Sequence, residues 1–193
     1  VDTELIDKWR QGHTGVPFLE ACINYLNTTG WINFRMRAMI MSFASYNLWQ
    51  PWQKTSPLLA ELFTDFEPGI HISQVQMQSG VTGINLPRIY SVFKQSLDQD
   101  STAEWTKKMI PQLENVEIDL IHNAELKDIY FDQIVDPKLS AKKARDTIWA
   151  MRKNSDFKKI AREVYLKHGS RKKQQFSRCL LYTSPSPRDF QVS

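Results

Sequence analysis

The sequence predicts an all-α fold, and three observations carry that prediction. Apolar residues recur at helical spacing through most of the chain's 193 residues. Proline and glycine stand where helices open and close. No stretch of useful length alternates apolar and polar residues as a half-buried strand requires. Hydrophobic residues make up 41% and charged residues 24%, the balance of a globular chain. The length suits one domain with a sizeable core, or part of a larger one.

The elements follow in order. Pro17 opens a helix where its missing N–H costs nothing, Phe18, Ala21, Cys22 and Tyr25 form an apolar stripe, and Gly30 closes it. A second helix is expected from about Asn33 to Asn47. A short helix, Leu58–Phe63, stops at Asp65, and Pro68 begins another that runs to about Ser79, ahead of Gly80 and Gly83. Pro87 opens Arg88–Phe93, as helix or as loop. Ala103–Met109 reads as helix and ends before Pro111. Residues 112–137 are acidic and weakly periodic, with few elements expected. Ser140–Arg152 and Asp156–His168 read as two helices, with N-caps at Ser140 and at Ser155 or Asp156. Residues 177–193 contain Ser184-Pro185-Ser186-Pro187 and no amphipathic pattern. A disordered, non-native tail is expected there, which leaves 1–176 as the domain.

Composition narrows the function classes. With only Cys22 and Cys179, a four-cysteine zinc or iron–sulfur site is excluded within the chain, no metal ligand set is expected, and a secreted disulfide scaffold is disfavoured. No apolar run approaches the roughly 18 to 20 residues that span a bilayer. Val1–Glu4 lacks both an initiator Met and the features of a signal peptide, so a truncated, intracellular protein is expected, cytoplasmic, or nuclear or organellar in a eukaryote. Six Trp and ten Phe fill cores in most proteins, but also suit a protein that stacks on flat ligands. Charge is asymmetric: residues 1–137 hold 10 basic against 17 acidic residues, and residues 138–178 hold 14 against 3. The second stretch could attract a polyanion or simply be a solvated pair of basic helices.

Two features could carry chemistry. Arg37 shares a helix face with Met41, Ala44 and Leu48, and a guanidinium on an apolar face requires an anionic partner or ligand. Arg35 points the opposite way, on a face with Met39, Ser42 and Tyr46 that reads as more amphipathic. The candidate partners are Asp65 and Glu67, in Thr64-Asp65-Phe66-Glu67-Pro68-Gly69. Glu67 serves equally as the cap of the next helix, and Asp65 as a surface turn residue. His71, in the first turn of that helix, is followed by Gln74, Gln76 and Gln78, an unusually amide-rich run. No hydrolase triad, P-loop, Rossmann fingerprint or metal-ligand spacing is present.

Several motifs, in this order and spacing, resemble one family. Trp9-Arg10-Gln11-Gly12-His13-Thr14-Gly15-Val16-Pro17, then Thr29-Gly30-Trp31 and Arg35-Met36-Arg37, resembles the W-x-x-G-x-T-G-x-P, T-G-W and Arg-x-Arg elements of DNA photolyases and cryptochromes. Asn47-Leu48-Trp49-Gln50-Pro51-Trp52, Asp65-Phe66-Glu67, Arg88-Ile89-Tyr90, Lys94-Gln95-Ser96, Pro111-Gln112-Leu113 and Ile134-Val135-Asp136 match further segments of that family. The resemblance covers about residues 4–150.

It implies the C-terminal, all-helical flavin domain, with FAD as cofactor. Arg37, paired with Asp65, would lie over the isoalloxazine ring, with Trp31, Phe34, Glu67 and His71 as further contacts. Trp52 would be the middle tryptophan of the electron-transfer chain. His71 would face flavin N5, and Met77 would stand at the lesion cleft. In this family, light-excited reduced flavin donates an electron to a pyrimidine dimer flipped out of duplex DNA and recovers it after the dimer splits. The implied partner is therefore damaged DNA, and the implied state a monomer. Arg35, Lys142, Lys143 and Arg145 are candidate phosphate contacts by charge. Departures from the pattern are Val75 at the flavin-proximal Trp position, Met77 at the cleft Trp, Ala38 for the usual Met and Phe34 for the usual Asn. The flavin-phosphate segment, the distal Trp and the antenna domain would lie ahead of Val1. The expected function is light-dependent repair of pyrimidine dimers. The alternatives are a cryptochrome-like light sensor without repair, or an inactive helical fragment.

Overall fold

Local capping chemistry sets most of the helices in the computed structural model, which describes residues 1–82 and 86–168. Helix α1 (Thr3–Gln11), not anticipated from the sequence, starts where Asp2 accepts from Leu5 N and ends at Gly12 with φ 72°. α2 (Pro17–Thr29) opens on its proline and closes on Gly30 with φ 69°. α3 (Phe34–Ser42) is capped by Asn33 and runs on as a π-helical turn through Phe43–Asn47. The Asn47 amide that ends this turn donates to Pro137 O at 3.0 Å and Ser140 Oγ at 2.9 Å, which ties it to a distant helix.

The next elements differ from the sequence reading at their ends. α4 spans Trp52–Ala60, not Leu58–Phe63, and carries Pro57 in its interior. Proline reads as a start signal in sequence, whereas here packing tolerates the one backbone hydrogen bond it removes. α5 (Pro68–Gln78) starts as expected, with Glu67 as its cap. Of the two readings of Arg88–Phe93, loop holds as far as Ser91, whose hydroxyl opens α6 (Val92–Gln99). α7 (Glu104–Met109) follows Ala103, and Asp100 accepts from Trp105 N and Thr106 N to hold its first turn. A 3-10 turn at Pro111–Leu113 and α8 (Ile118–Asn123) fill part of the acidic stretch.

α9 spans Pro137–Lys153, with Asp136 rather than Ser140 accepting from the first free N–H groups. Ser140 instead lies inside the helix and its hydroxyl donates to Asp136 O. In α10 (Ser155–His168), Asn154 rather than Ser155 or Asp156 is the cap, its side chain accepting from Asp156 N at 2.9 Å. No strand occurs among the described residues. The glycine signal at Gly83 and the tail 177–193 lie outside the described residues.

α2 is the central helix, packing on α1, α3, α6, α7 and α8. The main core joins α1–α4 around Trp9, Leu19, Met39, Met41 and Phe43. A second cluster under α7 and α8 contains Ala21, Ile110, Leu113, Ile121 and Leu126. From Met36 onward α3 is buried on nearly every side, so the face shared by Met39, Ser42 and Tyr46 is not amphipathic as expected, and Arg35 alone on it reaches solvent. α9 buries only Pro137 and Ala144, and α10 buries nothing.

Candidate functional site

A turn and a loop bring the Arg37–Asp65 pair together. Gly30 ends α2 in the left-handed conformation, where a Cβ would collide with Thr64 Cγ2. Its carbonyl accepts from Thr64 N at 2.9 Å. This contact seats the loop after α4 against the entry to α3. The result is an ion pair: Arg37 Nη2 lies 2.9 Å from Asp65 Oδ2. Arg37 Nε also donates to Ile32 O at 2.7 Å, and the guanidinium carbon sits 4.2 Å from the Phe63 ring centre. The guanidinium is half-buried, with 22% of the side chain exposed. Its partner contacts meet the requirement that a cation on an apolar face imposes. The hydrogen bond from Arg37 holds the Asp65 carboxyl below the usual carboxylate range.

This pair stands at the edge of a cavity of about 150 Å³ between α3, α4 and α5. Its walls are mostly apolar, with Phe34, Ala38, Met41, Leu59, Phe63 and Val75 among them. Asp65, Glu67, His71, Gln74 and Gln78 supply the polar groups. Of the two roles the sequence left open, Glu67 takes the cap, its Oε2 accepting from Ile70 N at 2.6 Å, while Asp65 is the partner of Arg37; Glu67 also lines the cavity.

His71 is buried between the edges of Phe63 and Phe66. Its Nε2 lies 2.9 Å from Ser56 Oγ and 3.1 Å from Ser56 O. A carbonyl can only accept, so Nε2 carries the proton and the ring is held as that tautomer. Burial, and secondarily the Arg37 charge, push the imidazole pKa down.

The other predicted residues fall elsewhere. Phe34 lines the cavity while remaining 56% exposed. Trp31 is 50% exposed and is not part of the wall. Met77 is half-buried and also stands outside it, whereas Val75, on the same helix, is buried within it. Trp52 packs against the main core and borders a second groove with Tyr46, Trp49, Arg152 and Phe157. Arg35, Lys142, Lys143 and Arg145 are all exposed. Arg145 borders a groove with Tyr90 and Lys138, away from the cavity that holds Arg37.

Sequence reasoning missed Ser56 and Phe63. Nothing near Ser56 marks it as the partner of a histidine 15 positions on. The amides of Gln74 and Gln78 were visible as an amide-rich run, but not as lining a cavity. No helix among the described residues is long and apolar enough to cross a membrane, and no group of three or more His, Cys, Asp or Glu among them could hold a metal ion.

Residues 1–150 match the family described as the FAD binding domain of DNA photolyase. A deoxyribodipyrimidine photo-lyase of Buchnera aphidicola is 32% identical over 120 residues, covering 61% of this chain and 25% of that protein. A cryptochrome DASH of Xenopus laevis is 29% identical over 118 residues, covering 60% of this chain and 22% of its own length. The chain therefore spans about a quarter of the curated relatives it matches. Among solved structures, the fold is that of an archaeal photolyase from Sulfolobus tokodaii, described with two FAD molecules. The TM-score is 0.70 at 24% identity, covering 75% of this chain and 34% of that one. A Synechocystis cryptochrome aligns with a TM-score of 0.69 at 23% identity, covering 75% of this chain and 33% of its own. The helical fold, the order of motifs and the match over residues 1–150 agree: the chain belongs to the family of the FAD-binding domain of DNA photolyases, which also takes in cryptochromes and uses FAD as its cofactor.

Proposed function

We propose that this chain is the flavin-holding part of a light-dependent enzyme that repairs pyrimidine dimers in DNA. The observation that carries the reading is the Arg37–Asp65 ion pair at the edge of an apolar cavity. A half-buried guanidinium fixed on three sides offers a rigid cation to a flat, electron-accepting ring. The residues present fit such a group. Aromatic and aliphatic walls suit its faces, and buried amide oxygens at Gln74 and Gln78, unpartnered by the protein, suit its polar edge. Arg37, Asp65, Phe34, Glu67 and His71 would hold it, Phe34 by stacking. When bound, FAD supplies light-driven one-electron transfer. His71, neutral and fixed by Ser56, would set hydrogen bonding beside the ring and so influence its protonation. Trp31 and Met77 stand outside the cavity wall and would act at its mouth, Met77 toward the lesion. Trp52, packed against the core, would serve in electron relay.

The basic faces of α9 and α10, with Arg35, would attract the duplex through its phosphates. An intracellular, cytoplasmic setting accompanies this reading. The test is light-dependent repair of dimer-containing duplex DNA by the protein with FAD added. Loss of dimers under blue light and not in darkness is expected. Flavin binding without repair would turn the assignment to the second reading, a cryptochrome-like light sensor, which Met77 and Ala38 at the departing positions favour. Absence of flavin binding would defeat both.

A further inference from the structure

α5 carries a polar stripe whose spacing is that of one helix face: His71, Gln74 and Gln78, with buried Val75 beside them. His71 is committed to Ser56. The two glutamines are different. Their Oε1 atoms are buried and have no hydrogen-bond partner in the protein, and Gln78 as a whole is only 3% exposed. Buried amides are almost always paired, because an unpaired one disfavours the folded state. Both side chains line the same apolar-walled cavity, so the groups able to satisfy them must enter through it.

We infer that Gln74 and Gln78 read the edge of a planar heteroaromatic imide, a ring N–H flanked by carbonyl groups, and so determine which ring the cavity accepts. A primary amide offers one acceptor and two donors in a single plane. Its complement is an N–H beside a C=O in a second plane, which an imide supplies. With two such amides one helical turn apart along one wall, the single ring N–H donates to one Oε1, and the carbonyls on either side of it accept from the Nε2 groups. Of the other polar groups at the cavity, Arg37 is engaged by Asp65 and Ile32 O, Glu67 by Ile70 N and His71 by Ser56, whereas the two amide oxygens have no partner. A site built on buried acceptors discriminates strongly against an analogue that lacks the donor, since the acceptors are then left unpaired.

This inference rests on the proposed function, because both rings that reading brings to the cavity, the isoalloxazine and thymine, carry an imide. Binding of the 193-residue chain to two matched pairs separates the sources. One pair is lumiflavin and 3-methyllumiflavin. The other is a thymidine dinucleotide and its N3-methylated counterpart. FAD is titrated in parallel. For at least one pair, the N–H parent is expected to bind about tenfold or more tightly than its methylated analogue. Gln74→Met combined with Gln78→Met should bring that preference to within about twofold. Gln78→Met alone should leave the melting temperature unchanged or raised, because an unpaired buried amide gives way to an apolar side chain. A preference seen with either pair supports the inference, and the pair that shows it identifies the ring.

The absence of a preference in both pairs, including the absence of binding, overturns the inference. So does a preference that survives in the double variant, or a melting temperature that falls by more than about 5 °C in Gln78→Met, a drop of about 2 kcal/mol for a domain of this size. FAD bound without N3 discrimination sinks the glutamine assignment and leaves the flavin reading standing. A thymine preference without FAD binding does the reverse.

Discussion

Arg37 makes three contacts from one side chain: the Asp65 carboxylate, the Ile32 carbonyl and the Phe63 ring. Arg37→Ala should therefore cost about 1–2 kcal/mol in urea unfolding, since a hydrogen bond and a cation–π contact go together. Asp65→Asn should cost less, within the range of about 0–1 kcal/mol for a solvent-reaching ion pair. The two should be alike in weakening FAD, because both remove the fixed orientation of the guanidinium. Acid titration tells two groups apart. His71 is depressed by burial and then by Arg37, while its unfolded counterpart protonates near pH 6.5, roughly. The unfolded state thus binds the extra proton first, and stability falls as pH drops from about 6.5 toward the folded pKa. His71→Asn should flatten that part of a melting-temperature profile. Asp65, lowered by the Arg37 hydrogen bond, contributes stability above its unfolded pKa of about 3.9 and loses it only as pH falls further. Asp65→Asn should remove that lower limb and leave the His71 limb in place.

Between elements, the segment most tightly specified is the loop from α1 into α2. Glu20 is wholly buried. Its Oε1 accepts from Thr14 N, Gly15 N and Thr14 Oγ1, and its Oε2 accepts from Tyr130 Oη at 2.6 Å. One carboxylate thus fixes the loop before α2 and ties it to a residue 110 positions on. Glu20→Ala leaves two buried N–H groups unpaired and should destabilise by about 2–4 kcal/mol. Glu20→Gln keeps the accepting oxygen on the loop and should cost clearly less by the same chemical-denaturation measurement. Burial raises the Glu20 pKa above its ordinary value, so Glu20 disfavours folding as pH rises from the unfolded pKa through the folded one. Gly15, with φ 73°, has backbone atoms of Asp132 and Gln133 2.5 Å from where a Cβ would stand. Gly15→Ala should therefore displace residues 130–134, which faster amide exchange at Ile134 N, bonded to Thr14 O, would report.

Across the whole molecule, α9 of the basic hairpin packs on the π-helical turn at Phe43–Asn47, whereas α10 adds no buried residue. α10 packs on α9 and buries no residue. Removing residues 155–193 should lower helicity yet shift the melting temperature by no more than about 4 °C, since α10 buries no residue. The same truncation should weaken binding to undamaged duplex DNA and flatten its dependence on salt, because each phosphate contact adds roughly one unit of slope in log affinity against log salt. An unchanged slope would place the DNA contacts elsewhere, on Arg35 or on the groove around Arg88 and Arg145.

The sequence by itself determined the helical class, the starts of α2, α3 and α5 and the identity of the Arg37–Asp65 pair through its family motifs. These signals are local: a proline, an Asn or Glu cap or a glycine acts on backbone groups within one turn. α1 carried the same signals in Asp2 and Gly12 and was legible in principle. Tertiary structure alone decided what long-range packing controls. Pro57 sits inside α4 because packing outweighs one lost hydrogen bond. α9 starts at Pro137 because Asp136 competes better for the free N–H groups than Ser140, which Asn47 engages from a helix 93 positions away. The partnership of Ser56 with His71, and the burial of the Gln74 and Gln78 oxygens without partners, exist only once α3, α4 and α5 enclose a common cavity. Hydrogen bonds reach about 3 Å, and no sequence spacing states which side chains will end that close.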